Sequence, residues 1–289
     1  MSHLFCFGLG YSALCLGSRL AADGWRVSGT ARTQAGAEAI AAQGLAALVF
    51  DGSAPGAGVS DALRAATHVL VCAPPGEDGD PVLNRHAADI VQAPSLQWIG
   101  YLSTVGVYGD HRGDWVDETM PPNPVSERSR TRVGAEEAWL AFGADANRRV
   151  QIFRLAGIYG PGRSAIDRLR AGTVQRIIKP RQVFNRIHVE DIAAILHACL
   201  SGRGTHQVYN VADDEPAPPQ DVIAYAAELL QMPPPPEIAF EEAQLSVMAK
   251  SFYVENKRIS NARVRRDLGI DLKYPNYRLG LQAILRRGS

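Results

Sequence analysis

Gly8, Gly10 and Ala13 stand in the order Gly-x-Gly-x-x-Ala, between the apolar run Leu4-Phe5-Cys6-Phe7 and a set of leucines at 14, 16 and 20. Read as strand, glycine turn and helix, this spacing makes a cradle for a diphosphate. Gly8 permits the tight turn. Gly10 lacks the side chain that would hold a pyrophosphate away from the backbone. Tyr11 opens the helix, and Ala13 is small enough for helix and strand to pack closely. Free N–H groups and the dipole at the helix start favour negative charge. A tight turn with no ligand has the same spelling, so the residues that follow carry weight.

Residues 25–30 (WRVSGT) read as a second strand. In a NAD site, an acidic residue near its end would bind the ribose 2′-hydroxyl. Here Thr30-Ala31-Arg32-Thr33 offers a cation and two hydroxyls instead. Arg32 can grip a 2′-phosphate with two charge-assisted hydrogen bonds, whereas an acid would repel it. The expected cofactor is therefore NADP, with NAD as the alternative; otherwise Arg32 is a solvated surface cation. Asp51, after a strand at 45–50, either meets the adenine amino group or caps the next turn. Ala73-Pro74-Pro75 closes a strand at 67–72 with small, rigid residues that suit a loop against the cofactor, or any other turn.

These candidates need a scaffold that brings strand ends together. Helices at 35–43, 60–66 and 82–91 alternate with strands at 25–30, 45–50, 67–72 and 97–103. That alternation predicts a parallel sheet with helices on both faces and ligands beyond its carboxyl edge. The chain has 289 residues, 46% of them hydrophobic, with 30 cationic and 30 acidic side chains. That balance gives no reason to expect a nucleic-acid or membrane partner. Cys6, Cys15, Cys72 and Cys199 lack metal-ligand spacing, so no metal is expected and reduced thiols point to the cytoplasm. No stretch reaches the ~18 apolar residues of a membrane helix.

By 103–109 (STVGVYG) the chain resembles the extended short-chain dehydrogenase/reductases, the group of NAD(P)-dependent epimerases and dehydratases. The segments 154–161 (RLAGIYGP), 186–191 (RIHVED), 207–211 followed by Pro216, 261–269 and 274–285 extend the resemblance over nearly the whole chain. It implies an α/β fold: a Rossmann-type doubly wound parallel sheet over 1–162, with 184–213 returning to it, and a smaller C-terminal substrate-binding cap over 163–289. In that cap, helices are expected at 164–171, 189–200, 218–230, 258–268 and 276–286, and a short strand at 174–178.

The resemblance also implies a catalytic set. Its hydroxyl falls on Thr104, with Ser103 beside the cofactor. Its Tyr-x-x-x-Lys pair falls on a helix at 127–141, at positions occupied by Arg128 and Arg132. A guanidinium stays protonated at ordinary pH and cannot act as the proton donor. Arg132 can still offer donors to the nicotinamide ribose, and Arg128 reads as an anion ligand or a solvated cation. Substitute acids are Tyr108, Tyr159, His188 and Asp110, with packing the other reading for both tyrosines and helix capping for His188. Gly157 stands where Asn is common near the nicotinamide. Arg163, Asn185 and Arg186 fall where relatives hold a phosphate or sugar, which suggests an anionic small-molecule substrate. Two functions follow: a reductase- or epimerase-like enzyme acting on a carbonyl or sugar nucleotide, or a non-catalytic NADP-binding sensor or scaffold. Helices 82–91 and 127–142 offer the homodimer face of relatives.

Overall fold

An apolar run without a polar face belongs inside a sheet, and His3–Phe7 (β1) is buried along its whole length. The computed structural model describes residues 1–287. β1 leads through Gly8–Gly10 into Tyr11–Ala22 (α1), which buries Ser12, Ala13, Leu16, Gly17 and Leu20 as one stripe. Then follow Arg26–Ala31 (β2), Gln34–Ala41 (α2), Ala46–Val49 (β3), Val59–Arg64 (α3), His68–Val71 (β4), Pro81–Gln92 (α4), Trp98–Thr104 (β5) and Glu127–Asp145 (α5). The elements expected in this half are all present, with ends displaced by a few residues.

Among the described residues the main sheet has seven strands, in the order Val208–Val211, Val150–Leu155, β5, β4, β1, β2, β3. β1 pairs in parallel with β2 and with β4, β2 with β3, and β4 with β5. The chain steps outward from β1 to β3, then resumes on the other side of β1. That reversal places a crevice at the carboxyl ends of β1 and β4.

The chain divides into two compact units. The first comprises Met1–Thr104, Glu127–Arg154 and Ile192–Tyr209; the second comprises Val105–Ser126, Leu155–Asp191 and the chain from Asn210 onward. Phe5, Phe7, Val69, Ile99, Tyr101 and Trp139 belong to the core of the first. In the second, Ala165–Arg170, Pro219–Leu229 and Tyr277–Arg287 pack Ile166, Ile223, Ala226, Tyr277 and Leu281 together. Small strand pairs join Gly157–Tyr159 to Arg186–His188, and Trp115–Val116 to Arg258–Ile259.

The expected helix at 258–268 is not a single element. The N–H groups of Arg258 and Ser260 donate to Asp114 O and Val116 O, both at 2.9 Å, so the segment starts as a strand. Helix begins only at Ala262 and ends at Leu268. Charged residues at 258, 263, 265 and 266 look helical by spacing, but a strand partner far off in sequence decides the first two residues. Among the described residues no helix is long and apolar enough to cross a membrane.

Candidate functional site

The first unit builds the cradle. Gly8 adopts φ +88°, a conformation that glycine tolerates and L side chains rarely do. Its N–H donates to Thr30 Oγ1 at 3.0 Å, and Leu9 N–H donates to Thr30 O at 2.8 Å. α1 then starts at Gly10 with no side-chain cap, which leaves donors of its first turn to be met from outside the helix. A Cβ on Gly10 would find no heavy atom within 4 Å. Gly10 N–H donates to Gly8 O at 2.8 Å, so what fits a diphosphate is the empty space beside Gly10 at the start of α1. Ala13 is 1% exposed beneath it. Gly17 shares the close-approach role: a Cβ there would lie 3.1 Å from Val27 Cγ1. Gly17 falls outside the motif, so only the packing reveals its role.

Around the cradle stand the other nucleotide candidates. Ala73 N–H donates to Phe7 O at 3.1 Å, which brings the Ala73-Pro74-Pro75 loop against the Gly8 turn. The two threonine hydroxyls expected to help Arg32 are engaged in the scaffold. Thr30 holds Gly8, and Thr33 caps α2 by accepting from Gly36 N–H at 3.2 Å. Arg32 is exposed and forms no hydrogen bond or ion pair among the described residues. Asp51 takes the capping role, accepting from Ser53 N–H at 2.9 Å and Oγ–H at 2.7 Å. Those two bonds hold its carboxyl below the usual carboxylate range.

The end of β5 carries Ser103 and Thr104. Thr104 is half-buried. Ser103 is buried, and its hydroxyl donates to Glu136 Oε1, so its side chain is not presented to a cofactor as expected. Glu136 in turn accepts a forked pair from Arg154. Neither Glu136 nor Arg154 announced this role, because both read as ordinary charges. On α5, Arg132 Nη1 donates to Tyr101 Oη at 2.9 Å and Leu102 O at 3.1 Å. The Cys72 thiol is pushed up to about 12 by burial, and the charge of Arg132 acts against that rise. Arg128 is exposed and makes no bond among the described residues.

In the second unit most candidates serve the scaffold. Tyr108 is fully buried and donates to Asn210 Oδ1 at 2.8 Å, the packing alternative rather than a proton donor. Tyr159 is 8% exposed, donates to Asn276 O at 3.3 Å, and its phenol is pushed up by burial. His188 caps the following helix, as its Nδ1 accepts from Glu190 N–H at 3.2 Å. Burial brings its pKa down to about 4. Asp110 accepts from Asn256 N–H at 2.8 Å. Asn185, expected at the substrate, instead clamps the small sheet: Nδ2 donates to Lys257 O at 2.9 Å and Oδ1 accepts from Ile259 N–H at 2.8 Å. Arg186 Nη1 donates to Phe184 O at 2.9 Å and Ala217 O at 3.1 Å. Arg163 is exposed. Among the described residues no cluster of His, Cys, Asp or Glu is arranged to hold a metal.

Comparison with known proteins places this arrangement. The NAD dependent epimerase/dehydratase family matches residues 85–212. Protein YeeZ of Escherichia coli K12 is 30% identical over 96% of this chain and 97% of its own. A functionally unknown conserved protein of Silicibacter pomeroyi is 50% identical, with a TM-score of 0.91 over 99% of both chains. UDP-glucose 4-epimerase of Thermus thermophilus, solved in complex with NAD, shares the fold at a TM-score of 0.74 and 18% identity over 100% of both chains. With a glycine cradle at β1, a Ser-Thr end to β5 and relatives that match end to end, the chain belongs to the NAD dependent epimerase/dehydratase family.

Proposed function

We propose that the first unit binds a nicotinamide dinucleotide and prefers NADP. The open, uncapped turn at Gly8–Gly10, with an exposed and unpartnered Arg32 at the end of β2, carries this reading. The backbone from Gly8 to Tyr11, Ala13 and the Ala73-Pro74-Pro75 loop would hold the diphosphate, and Arg32 the 2′-phosphate. Arg132 would lie toward the nicotinamide ribose. When bound, the cofactor supplies or accepts a hydride. Thr104 then orients the substrate oxygen by hydrogen bonding. The NAD-bound epimerase of similar fold supports the cofactor class but not the phosphate preference.

The substrate is proposed as a small anionic molecule of the carbonyl or sugar-nucleotide type, with Arg128 on α5 as the candidate contact for its charge. A guanidinium is a hydrogen-bond donor with no general acid–base role. A positioned acid–base group is worth about 10²–10⁴-fold in rate, so turnover would be slow or would use a proton from the substrate or solvent. This same feature favours a second reading, a non-catalytic NADP-binding sensor or scaffold. Oxidation of NADPH against a panel of carbonyls and nucleotide sugars separates the two. Turnover that survives Arg128→Ala and disappears in Thr104→Ala supports the enzyme; tight binding without turnover supports the sensor. A cytoplasmic setting is part of the same proposal and rests on reading the four cysteines as reduced thiols. Self-association through α4 and α5 belongs to the same proposal, with sedimentation as its test.

A further inference from the structure

Burying an ion pair costs more than burying apolar groups of the same volume, so a buried pair that joins three elements invites a functional account. Glu136 is 2% exposed and Arg154 5%. Arg154 Nε lies 3.2 and 3.1 Å from the two carboxylate oxygens, and Nη2 lies 2.7 Å from Oε2. Ser103 supplies a further donor. Ser103 lies on β5, Glu136 on α5, and Arg154 on Val150–Leu155. Arg132 precedes Glu136 by one helical turn and shares its face. Through these two residues α5 holds Tyr101, Leu102 and Ser103, three successive positions of β5. The next residue is Thr104. The buried residues of α5 are Ser129, Ala135, Glu136, Trp139 and Gly143. Trp139, with half-buried Leu140 and Phe142, supplies the apolar packing of this helix, and the polar bonds add directional contacts to the end of β5.

We propose that Glu136 is a positioning residue. By accepting from Ser103 and Arg154 at once, it sets α5 against β5 and so fixes Arg132 and Thr104 relative to each other. This rests on the reading that the first unit binds a nicotinamide dinucleotide. The charge is essential, because only the ionised carboxylate accepts from all of these donors without offering one of its own.

Two variants test it. Glu136→Gln keeps the volume but removes the charge; Ser103→Ala removes one hydroxyl and leaves the ion pair intact, so one of them remains informative if the other fails to fold. Calorimetry compares NADPH with 2′,5′-ADP, which lacks the nicotinamide half. NADPH affinity is expected to fall about tenfold in Glu136→Gln and about threefold in Ser103→Ala, in line with loss of charge-assisted bonds, while 2′,5′-ADP binding holds. In the ligand-free protein, hydrogen exchange should accelerate at 101–104 and 128–136 and stay unchanged at 8–11. Equal weakening of both ligands with faster exchange across the whole sheet would reduce Glu136 to a stability element and overturn the proposal. So would unchanged exchange at the end of β5. If the wild type takes up neither nucleotide, the cofactor reading fails, and the exchange pattern alone decides the role of Glu136.

Discussion

The cradle in the first unit and the polar cluster in the second use the same kinds of residue in opposite ways. Around Gly8 the threonines and aspartate satisfy the local backbone, and this leaves Arg32 with no partner among the described residues. Around Arg186 the polar side chains are themselves the fasteners: Asn185 ties down 257–259 and Arg186 ties two carbonyls. A side chain that holds its own scaffold is a poor candidate for a ligand contact, and one that the scaffold leaves alone is a better one. The difference makes measurable claims, because removing a fastener lowers stability while removing a free ligand group does not.

The largest expected effect lies in the first unit. Arg154→Ala strands the buried Glu136 carboxylate and should destabilise by about 4 kcal/mol, read as a lower denaturant midpoint. The cradle would need no such loss when Arg32 is changed, so similar losses from both substitutions would break the contrast. The second effect is a pH dependence. The pKa of His188 falls from 6.5 unfolded to about 4 in the folded chain, chiefly through burial. The unfolded chain therefore binds the extra proton first, and stability drops as pH falls from about 6.5 toward 4. His188 contributes a loss of about 3 kcal/mol across that window. His3 and His68, held low by burial in the first unit, act in the same direction. His188→Gln should flatten the acid limb of an unfolding-versus-pH curve without erasing it. Third, Asn185→Ala removes both a donor and an acceptor from the 257–259 segment and should cost about 2 kcal/mol. A ligand-binding Asn185 would leave the unfolding midpoint of the free protein where it is.

What could be read in advance follows the same divide. The cradle was legible because its determinants are local: Gly8, Gly10 and Ala13 lie within one turn of chain, between a buried strand and a one-faced helix. Alternation of strand and helix made the doubly wound sheet legible too. The Glu136–Arg154 pair was not, since nothing in either neighbourhood says that a charge on a helix and one on an interior strand will meet in buried surroundings. The resemblance puts Asn185 at a substrate, and its true partners, Lys257 and Ile259, come from a distant segment that local sequence does not reveal. That same pairing turned the start of the 258–268 segment from helix to strand. Only the resemblance puts Arg128 and Arg132 where a Tyr and a Lys are expected. That Arg132 still bonds the end of β5 needed the structure.

The smallest expected effect, and the most direct on the central claim, is the cofactor preference set by Arg32. Calorimetric titration of wild type and Arg32→Ala with NADPH and NADH measures it, with the unfolding midpoint as a control. Saturable uptake of both dinucleotides is expected, with NADPH bound more tightly. Arg32→Ala should weaken NADPH about tenfold, as loss of a charge-assisted pair implies, while NADH affinity and stability stay the same. Absence of saturable heat with either dinucleotide, or equal weakening of both in Arg32→Ala, would contradict it.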